Sequence, residues 1–340
     1  MMMGVFTKID RVELNMLRFM KNHLNHNFNA RKLLATNESY LSIPLDELIL
    51  PQQNFEVDNQ LYFLNSKEIS CNIKLIADVY GDPLSTVKDN FFHVVNWLQS
   101  SNIPHINNGI LLDFGSKALV SHLISERMID EEDTLGDQHL FNQDDQEVIK
   151  SNMQKALKLI HMLNPDLHSL INQVIGTICF CRKKGYGGGT VSSLIGLIWF
   201  NPQPNWTVID YAENLIHEFV HNSVFIDDMI HVIFPDTSNL TEKEALTTST
   251  ILKIKRPIDK AYHSACVSTA LMYYYYLLND QKRVNAHFQP LRNTLAEIVT
   301  KNPKYIASRG NLTVQGMINF SNTLNFESIS KSLSCPEPIF

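Results

Sequence analysis

The segment WTVIDYAENLIHEFVHNSVFIDDM, residues 206–229, places the strongest constraint on the fold of this 340-residue chain. Its apolar residues, among them Leu215 and Phe219, recur at helical spacing and predict one long helix. We place the start of this helix at Asp210, with Glu213 as its reciprocal capping partner, and its end near residue 229. The HEFVH motif therefore lies in the middle of a helix, flanked by apolar residues.

Helical periodicity dominates most of the remaining chain, whereas strand signals are few. A strand is predicted from Ser193 to Phe200, where β-branched and aromatic residues follow a glycine-rich turn. Pro257 breaks one helical segment and precedes a long apolar helix that ends near Asn279. The pattern predicts a mainly α fold with a small β-sheet (α+β), in which the HEFVH helix packs beside the sheet. Other helices are predicted over 8–26, 85–100, 146–164, 165–175 and 284–303, and one more begins at Thr241 with Glu244 as its capping partner.

The composition argues against several classes of protein. Apolar residues make up 44% of the chain and charged residues 19%, as in ordinary globular proteins, and the formal net charge is -6. Because the chain carries no basic stripe, we expect no nucleic acid partner. Because no run of about 18 apolar residues is present, we expect no membrane span.

The cysteines and the first residues indicate a compartment. Five cysteines are scattered along the chain, and the start MMMGVFTKID lacks the regions of a secretory signal. We therefore expect a cytoplasmic protein with free thiols. Cys179 and Cys181 are two residues apart in an extended segment, and this spacing predicts that both side chains lie on one face.

An acidic and polar stretch, residues 130–145, suggests a division of the chain. It separates a mostly helical N-terminal region, 1–145, from a metal-binding catalytic domain, 146–340, that carries HEFVH. Peptide recognition is our hypothesis for the N-terminal region.

The HEFVH sequence supplies half of a metal site. His217 and His221 are one helical turn apart, so both imidazole rings can reach one ion. Glu218 is rotated by about 100° from His217 and borders the site. The identity of the metal depends on a third ligand outside the motif.

One candidate for the third ligand is a carboxylate. The metzincin pattern is excluded, because Val224 and Asp227 occupy the places of its glycine and third histidine. In a zinc peptidase of the gluzincin type, Glu242 or Glu244 would complete the site. Glu218 would then act as the general base that takes a proton from metal-bound water.

The other candidate is His263. It follows Arg256 and Pro257 by a few residues, and the restricted proline backbone favours a common neighbourhood for Arg256 and His263. An ion with three protein ligands keeps positions open for a chelating cosubstrate and oxygen. An arginine beside it can hold a carboxylate through two parallel hydrogen bonds.

The segments YAENLIHEFVHNSV, RPIDKAYHSACV and IGLIWFNP resemble the HExxH-motif proteins of peptide-modification gene clusters. Some of these proteins are 2-oxoglutarate- and Fe(II)-dependent β-hydroxylases of ribosomally made peptides. The resemblance implies that His217, His221 and His263 bind Fe(II). It also implies that Arg256 binds the distal carboxylate of 2-oxoglutarate, that Glu218 orients a ligand or the substrate, and that a precursor peptide is the substrate. Zinc remains the alternative metal, and a non-catalytic leader-peptide-binding protein is a further alternative.

A basic run and one further histidine lie outside the motif. The basic run Arg182, Lys183 and Lys184 is typical of a solvated loop, and we hypothesise that it contacts an acidic peptide. His287 lacks a partner at ligand spacing and is expected to be an ordinary polar residue.

Overall fold

The computed structural model describes residues 8–23 and 60–334 and confirms a mainly α fold with a small β-sheet. The helices are α1 Lys8–His23, α2 Ser66–Tyr80, α3 Val87–Leu98, α4 Lys117–Ser125, α5 Gln143–Leu163, α6 Pro165–Val174, α7 Val208–His231, α8 Ile258–Leu277, α9 Gln281–Tyr305, α10 Ser308–Thr323 and α11 Phe326–Leu333. The strands are β1 Leu111–Asp113, β2 Thr177–Phe180, β3 Gly188–Gly189, β4 Leu197–Phe200, β5 Thr247–Thr248 and β6 Lys255–Arg256. Short 3-10 helices cover Tyr62–Leu64, Glu131–Asp137 and Lys243–Ala245.

The motif helix, α7, begins earlier than the sequence predicts. Its N-cap is Thr207, whose extended backbone lets the side-chain oxygen accept a hydrogen bond from the Asp210 backbone N–H. The Asp210 carboxylate accepts from the Thr207 backbone N–H at 2.6 Å, which completes a capping box. The prediction of Asp210 as the cap, with Glu213 as its partner, was therefore wrong by one turn.

The segment after the motif helix also differs from its prediction. Instead of a helix starting at Thr241, the chain forms a 3-10 turn and then the antiparallel hairpin β5–β6. Its β-branched residues favour an extended backbone. Glu297 on α9 stabilises the hairpin, because its carboxylate accepts hydrogen bonds from the Thr248 backbone N–H at 3.0 Å and from Lys255 Nζ at 2.6 Å. These contacts join residues that are distant in sequence, so local sequence patterns do not predict the hairpin.

The main sheet has the strand order β1-β2-β4-β3. The first three strands are parallel, and β3 is the antiparallel edge. Strand β4 lies inside the predicted segment 193–200, and its four residues are buried. The Cys179 and Cys181 sulphur atoms are 3.7 Å apart, which confirms that both lie on one face.

The motif helix contacts the connection between β3 and β4 through Asn222, which is fully buried. Its side-chain oxygen accepts from the Gly196 backbone N–H at 2.8 Å, and its Nδ2 donates to Thr190 Oγ1 at 3.1 Å. The bond to Gly196, which directly precedes β4, fixes the rotation of the motif helix about its own axis. Because Asn222 follows His221 directly, it also fixes the direction of the His221 side chain. The prediction that the HEFVH helix packs beside the sheet is confirmed.

We expect Asn222→Ala to lower the free energy of unfolding by about 1–3 kcal/mol, because it leaves the buried Gly196 N–H without its acceptor. Urea denaturation monitored by circular dichroism measures the change. Asn214→Ala is the matched control, since Asn214 lies on the same helix and its side chain donates to the backbone oxygen of Asp210, one turn earlier. Equal losses for both variants would contradict the proposed role of Asn222.

One contiguous hydrophobic core joins elements from both parts of the described chain. Helices α1 and α2 pack against the motif helix, as do α5 and α8. The division of the chain after residue 145 stays a prediction. In the described ranges, no helix is long and apolar enough to cross a membrane.

A buried ionic cluster lies between α2, α7 and α10. Arg309 is 1% exposed and donates hydrogen bonds to Glu68 at 2.6 Å and to Asp227 at 2.7 Å. Its guanidinium carbon lies 3.3 Å from the centre of the Tyr62 ring. Burial alone would raise the pKa of Asp227, but the adjacent Arg309 holds it below its ordinary value. The cluster fixes three helices that are distant in sequence.

Candidate metal centre

The structure brings three of the predicted metal ligands together. His217 and His221 lie on one face of α7, with ring centres 5.0 Å apart. His263 lies in the second turn of α8, which begins directly after Pro257, and its ring centre is 5.1 Å from that of His221. The crossing of α7 and α8 therefore produces a histidine cluster from residues more than 40 positions apart in sequence.

The closest contact in this cluster joins His221 Nδ1 and His263 Nδ1, which are 3.0 Å apart. In a pair of neutral imidazoles, one of these nitrogens donates and the other accepts. The separation also allows both nitrogens to bind one ion through bonds of about 2.1 Å.

The position of the third ring is less favourable for a metal. His217 makes no hydrogen bond to either of the other rings in the described part of the chain. As the side chains of residues 8–23 and 60–334 stand, no group of three His, Cys, Asp or Glu could hold a metal ion. Binding of one ion by all three histidines would therefore require their side chains to move from these positions, and the His217 side chain is 28% exposed.

The surroundings favour neutral imidazoles, the form that binds metals. Burial lowers the pKa of His217 to about 4, with His287 acting in the same direction. Burial also lowers the pKa of His221 well below its ordinary value, with further contributions from the two neighbouring histidines and from Lys260 and Arg256. The donor atoms are therefore available without loss of a proton at neutral pH.

Glu218 is buried beside the cluster. Its Oε1 is 4.0 Å from His217 Nε2, while its Oε2 has no hydrogen-bond partner among the described residues. Burial raises the pKa of Glu218 to about 8. A buried carboxyl oxygen without a partner is costly, and a cation or a bound ligand would satisfy it.

Two cationic side chains lie near His221. Arg256, at the end of β6, and Lys260, in the first turn of α8, lie close enough to His221 for their charges to lower its pKa. Lys260 pairs with Asp259 at 3.1 Å, whereas Arg256 forms no ion pair within the described ranges. The Arg256 guanidinium therefore remains available for an anion at this site.

The carboxylates proposed for a zinc peptidase lie elsewhere. Lys304 Nζ donates to Glu242 at 2.8 Å, and Glu244 is exposed in the 3-10 helix. Neither carboxylate lies within 4.0 Å of a described histidine nitrogen. This placement favours His263 over Glu242 and Glu244 as the third ligand.

His287 is a neighbour of the cluster that sequence reasoning missed. It lies on α9, and its Nδ1 is 2.9 Å from Ser268 Oγ on α8. This contact satisfies the hydrogen-bonding potential of Nδ1, as expected for an ordinary polar residue. His287 is also close enough to His217 to lower the pKa of that histidine. The short turn at 278–280 predicts that α8 and α9 pair, although it does not indicate which faces meet.

Comparison with known proteins adds no assignment. No protein-family model matches the chain, and no curated protein matches it significantly.

Proposed function

We propose that this protein is an Fe(II)- and 2-oxoglutarate-dependent oxygenase that hydroxylates a side-chain β-carbon of a ribosomally made precursor peptide. The proposal depends chiefly on one observation, the 3.0 Å approach of His263 to His221 near Arg256, which forms no ion pair with a described residue. We place the reaction in the cytoplasm, where the free cysteines of the described chain remain reduced.

In this proposal His217, His221 and His263 would hold the iron, and Arg256 would bind the distal carboxylate of the cosubstrate. Iron with 2-oxoglutarate and oxygen supplies the oxidising power. Phe225, whose ring centre is 4.8 Å from that of His263, limits the access of water to the buried side. Glu218 orients a ligand or the substrate through its free oxygen.

The turn of the β5–β6 hairpin offers a surface for the substrate. Leu252 and Ile254 are 54% and 58% exposed, although both are large and apolar. Ser264, next to His263, anchors this turn, because its Oγ accepts from the Ile251 backbone N–H at 3.0 Å and lies 2.9 Å from Ser249 Oγ. An apolar side chain of a peptide would therefore bind next to the histidine cluster.

The test combines anaerobic metal analysis with uncoupled turnover. The full-length protein, reconstituted with Fe(II), is expected to bind one iron and to release succinate from 2-oxoglutarate in the presence of oxygen. Binding of zinc with no succinate would contradict the proposal. If the protein instead binds less than one metal ion per chain and leaves the mass of an added precursor peptide unchanged, the result would support a non-catalytic leader-peptide-binding protein.

We expect Arg256→Ala to raise the KM for 2-oxoglutarate by about 10–100-fold, since a hydrogen bond to a charged group contributes about 1.5–3 kcal/mol. Succinate formation at varied 2-oxoglutarate measures it. Arg292→Ala, which removes an exposed arginine on α9, is the control and should leave KM unchanged. An unchanged KM in Arg256→Ala would show that another group binds the cosubstrate.

A zinc peptidase is the second candidate, and Glu218 favours it. A general base should have a pKa near the working pH, and burial brings the pKa of Glu218 to about 8. The zinc peptidase would be established if the protein cleaves a peptide without 2-oxoglutarate and Glu218→Gln abolishes that cleavage.

A further inference from the structure

A separate cavity of about 550 Å³ lies between the start of α5, the loop 182–185 and the segment 201–206 that leads into the motif helix. Phe141, Ile149, Trp206 and Tyr211 provide apolar and aromatic walls. None of the histidines of the candidate metal centre lines it. Tyr211 precedes His217 by six residues, which is about 9 Å along the helix and on a different face.

The walls of the cavity are held in place by hydrogen bonds. Asn201 Nδ2 donates to the backbone oxygens of Lys183 at 2.5 Å and Tyr186 at 2.6 Å. The Arg182 backbone N–H donates to the His139 oxygen at 2.8 Å. The basic loop is therefore positioned before any ligand arrives, which lowers the entropic cost of binding.

Three cationic side chains and one carboxylate line the cavity. Arg182 pairs with Asp145 at 2.5 Å, and Lys183 pairs with Asp130 at 3.0 Å and Asp133 at 3.9 Å, both outside the lining. Lys184 is exposed and forms no ion pair within the described ranges. Cations thus outnumber the single lining carboxylate of Asp145.

We infer that this cavity binds an acidic segment of a peptide, with the peptide's carboxylates near Lys184 and Arg182 and its apolar side chains against Trp206 and Phe141. A site for a small anion needs several cations without carboxylate partners that converge on one point. In this cavity, two of the three cations already have carboxylate partners. The extended apolar wall instead requires an occupant with apolar groups as well as charge. This assignment goes beyond the proposed function, and its test needs no metal.

The probe is a fluorescein-labelled octapeptide of alternating Glu and Leu, measured by anisotropy with the metal-free full-length protein. Lys184→Glu should weaken binding by about fivefold, because it replaces attraction by repulsion at a partly exposed site. Asp145→Asn should strengthen binding by about threefold, because it frees the Arg182 guanidinium. Lys282→Glu carries the same charge change as Lys184→Glu but lies on α9, outside the cavity, and should leave the affinity unchanged.

Opposite effects of Lys184→Glu and Asp145→Asn, together with loss of binding by a Gln/Leu octapeptide, would support the inference. Three results would overturn it: no binding of the acidic peptide, equal weakening by Lys282→Glu, or full displacement of the peptide by free glutamate at equal concentration. The last result would identify a site for small anions. Because iron and succinate are absent from this assay, its failure is distinguishable from failure of the oxygenase proposal.

Discussion

Replacing His263 with alanine is expected to abolish iron binding and all succinate formation. Its Nδ1 lies 3.0 Å from His221 Nδ1, and its removal would leave the proposed iron site with two histidine ligands, His217 and His221. Two imidazoles bind a divalent ion far more weakly than three, and we expect the affinity to fall by at least about 100-fold. Anaerobic iron titration, followed by metal analysis of the desalted protein, measures this loss.

Glu242→Ala and Glu244→Ala are the matched variants for this experiment. Glu242 is paired with Lys304 on the surface and Glu244 is exposed, so both variants should retain iron and activity. The opposite pattern, in which metal is lost with Glu242 or Glu244 and kept without His263, would favour the gluzincin peptidase. Circular dichroism distinguishes loss of a ligand from loss of folding in each variant.

The largest effect on stability is expected from Arg309→Met. The change leaves Glu68 and Asp227 buried without their cation. Removing one partner of a buried ionic cluster costs about 3–5 kcal/mol. Thermal and urea unfolding should both show this decrease. Arg182→Met, which breaks a surface ion pair with Asp145, should cost at most about 1 kcal/mol.

Neutralising the two carboxylates should recover much of the loss. Glu68→Gln and Asp227→Asn, added to Arg309→Met, remove the unpaired buried charges, and we expect at least half of the lost stability to return. Because the pKa of Asp227 is depressed in the folded state, its contribution is present above its unfolded pKa and is lost as the pH falls through the folded pKa. Acid should therefore destabilise the wild type more than the triple variant. No recovery in the triple variant would assign the loss to packing of the arginine side chain.

Local sequence patterns predicted most of the long helices but few of the exact residues at which helices and strands begin and end. The long helices followed from apolar periodicity, and Pro257 marked the start of α8 correctly. The cap of the motif helix was misplaced because Asp210 and Thr207 are both good capping residues, and only backbone geometry shows which one is extended. The β5–β6 hairpin was missed because its stabilising partner, Glu297, lies 49 residues beyond Thr248.

The candidate site was predictable only in part, for the same reason. His217 and His221 share a helix, so their proximity follows from local spacing. The approach of His263 depends on the packing of α8 against α7, which periodicity cannot specify. His287 lacked any local signal, because its neighbours lie on other helices.

The Arg309 cluster also has a consequence for protein synthesis. Glu68 and Arg309 are 241 residues apart in sequence, so Glu68 leaves the ribosome long before its partner. At about 5–20 residues per second, that interval lasts about 12–48 s. Burying Glu68 without Arg309 is unfavourable, so α2 is expected to dock onto the motif helix only after α10 has been made. The HEFVH helix therefore reaches its final packing only after α10 has been synthesised.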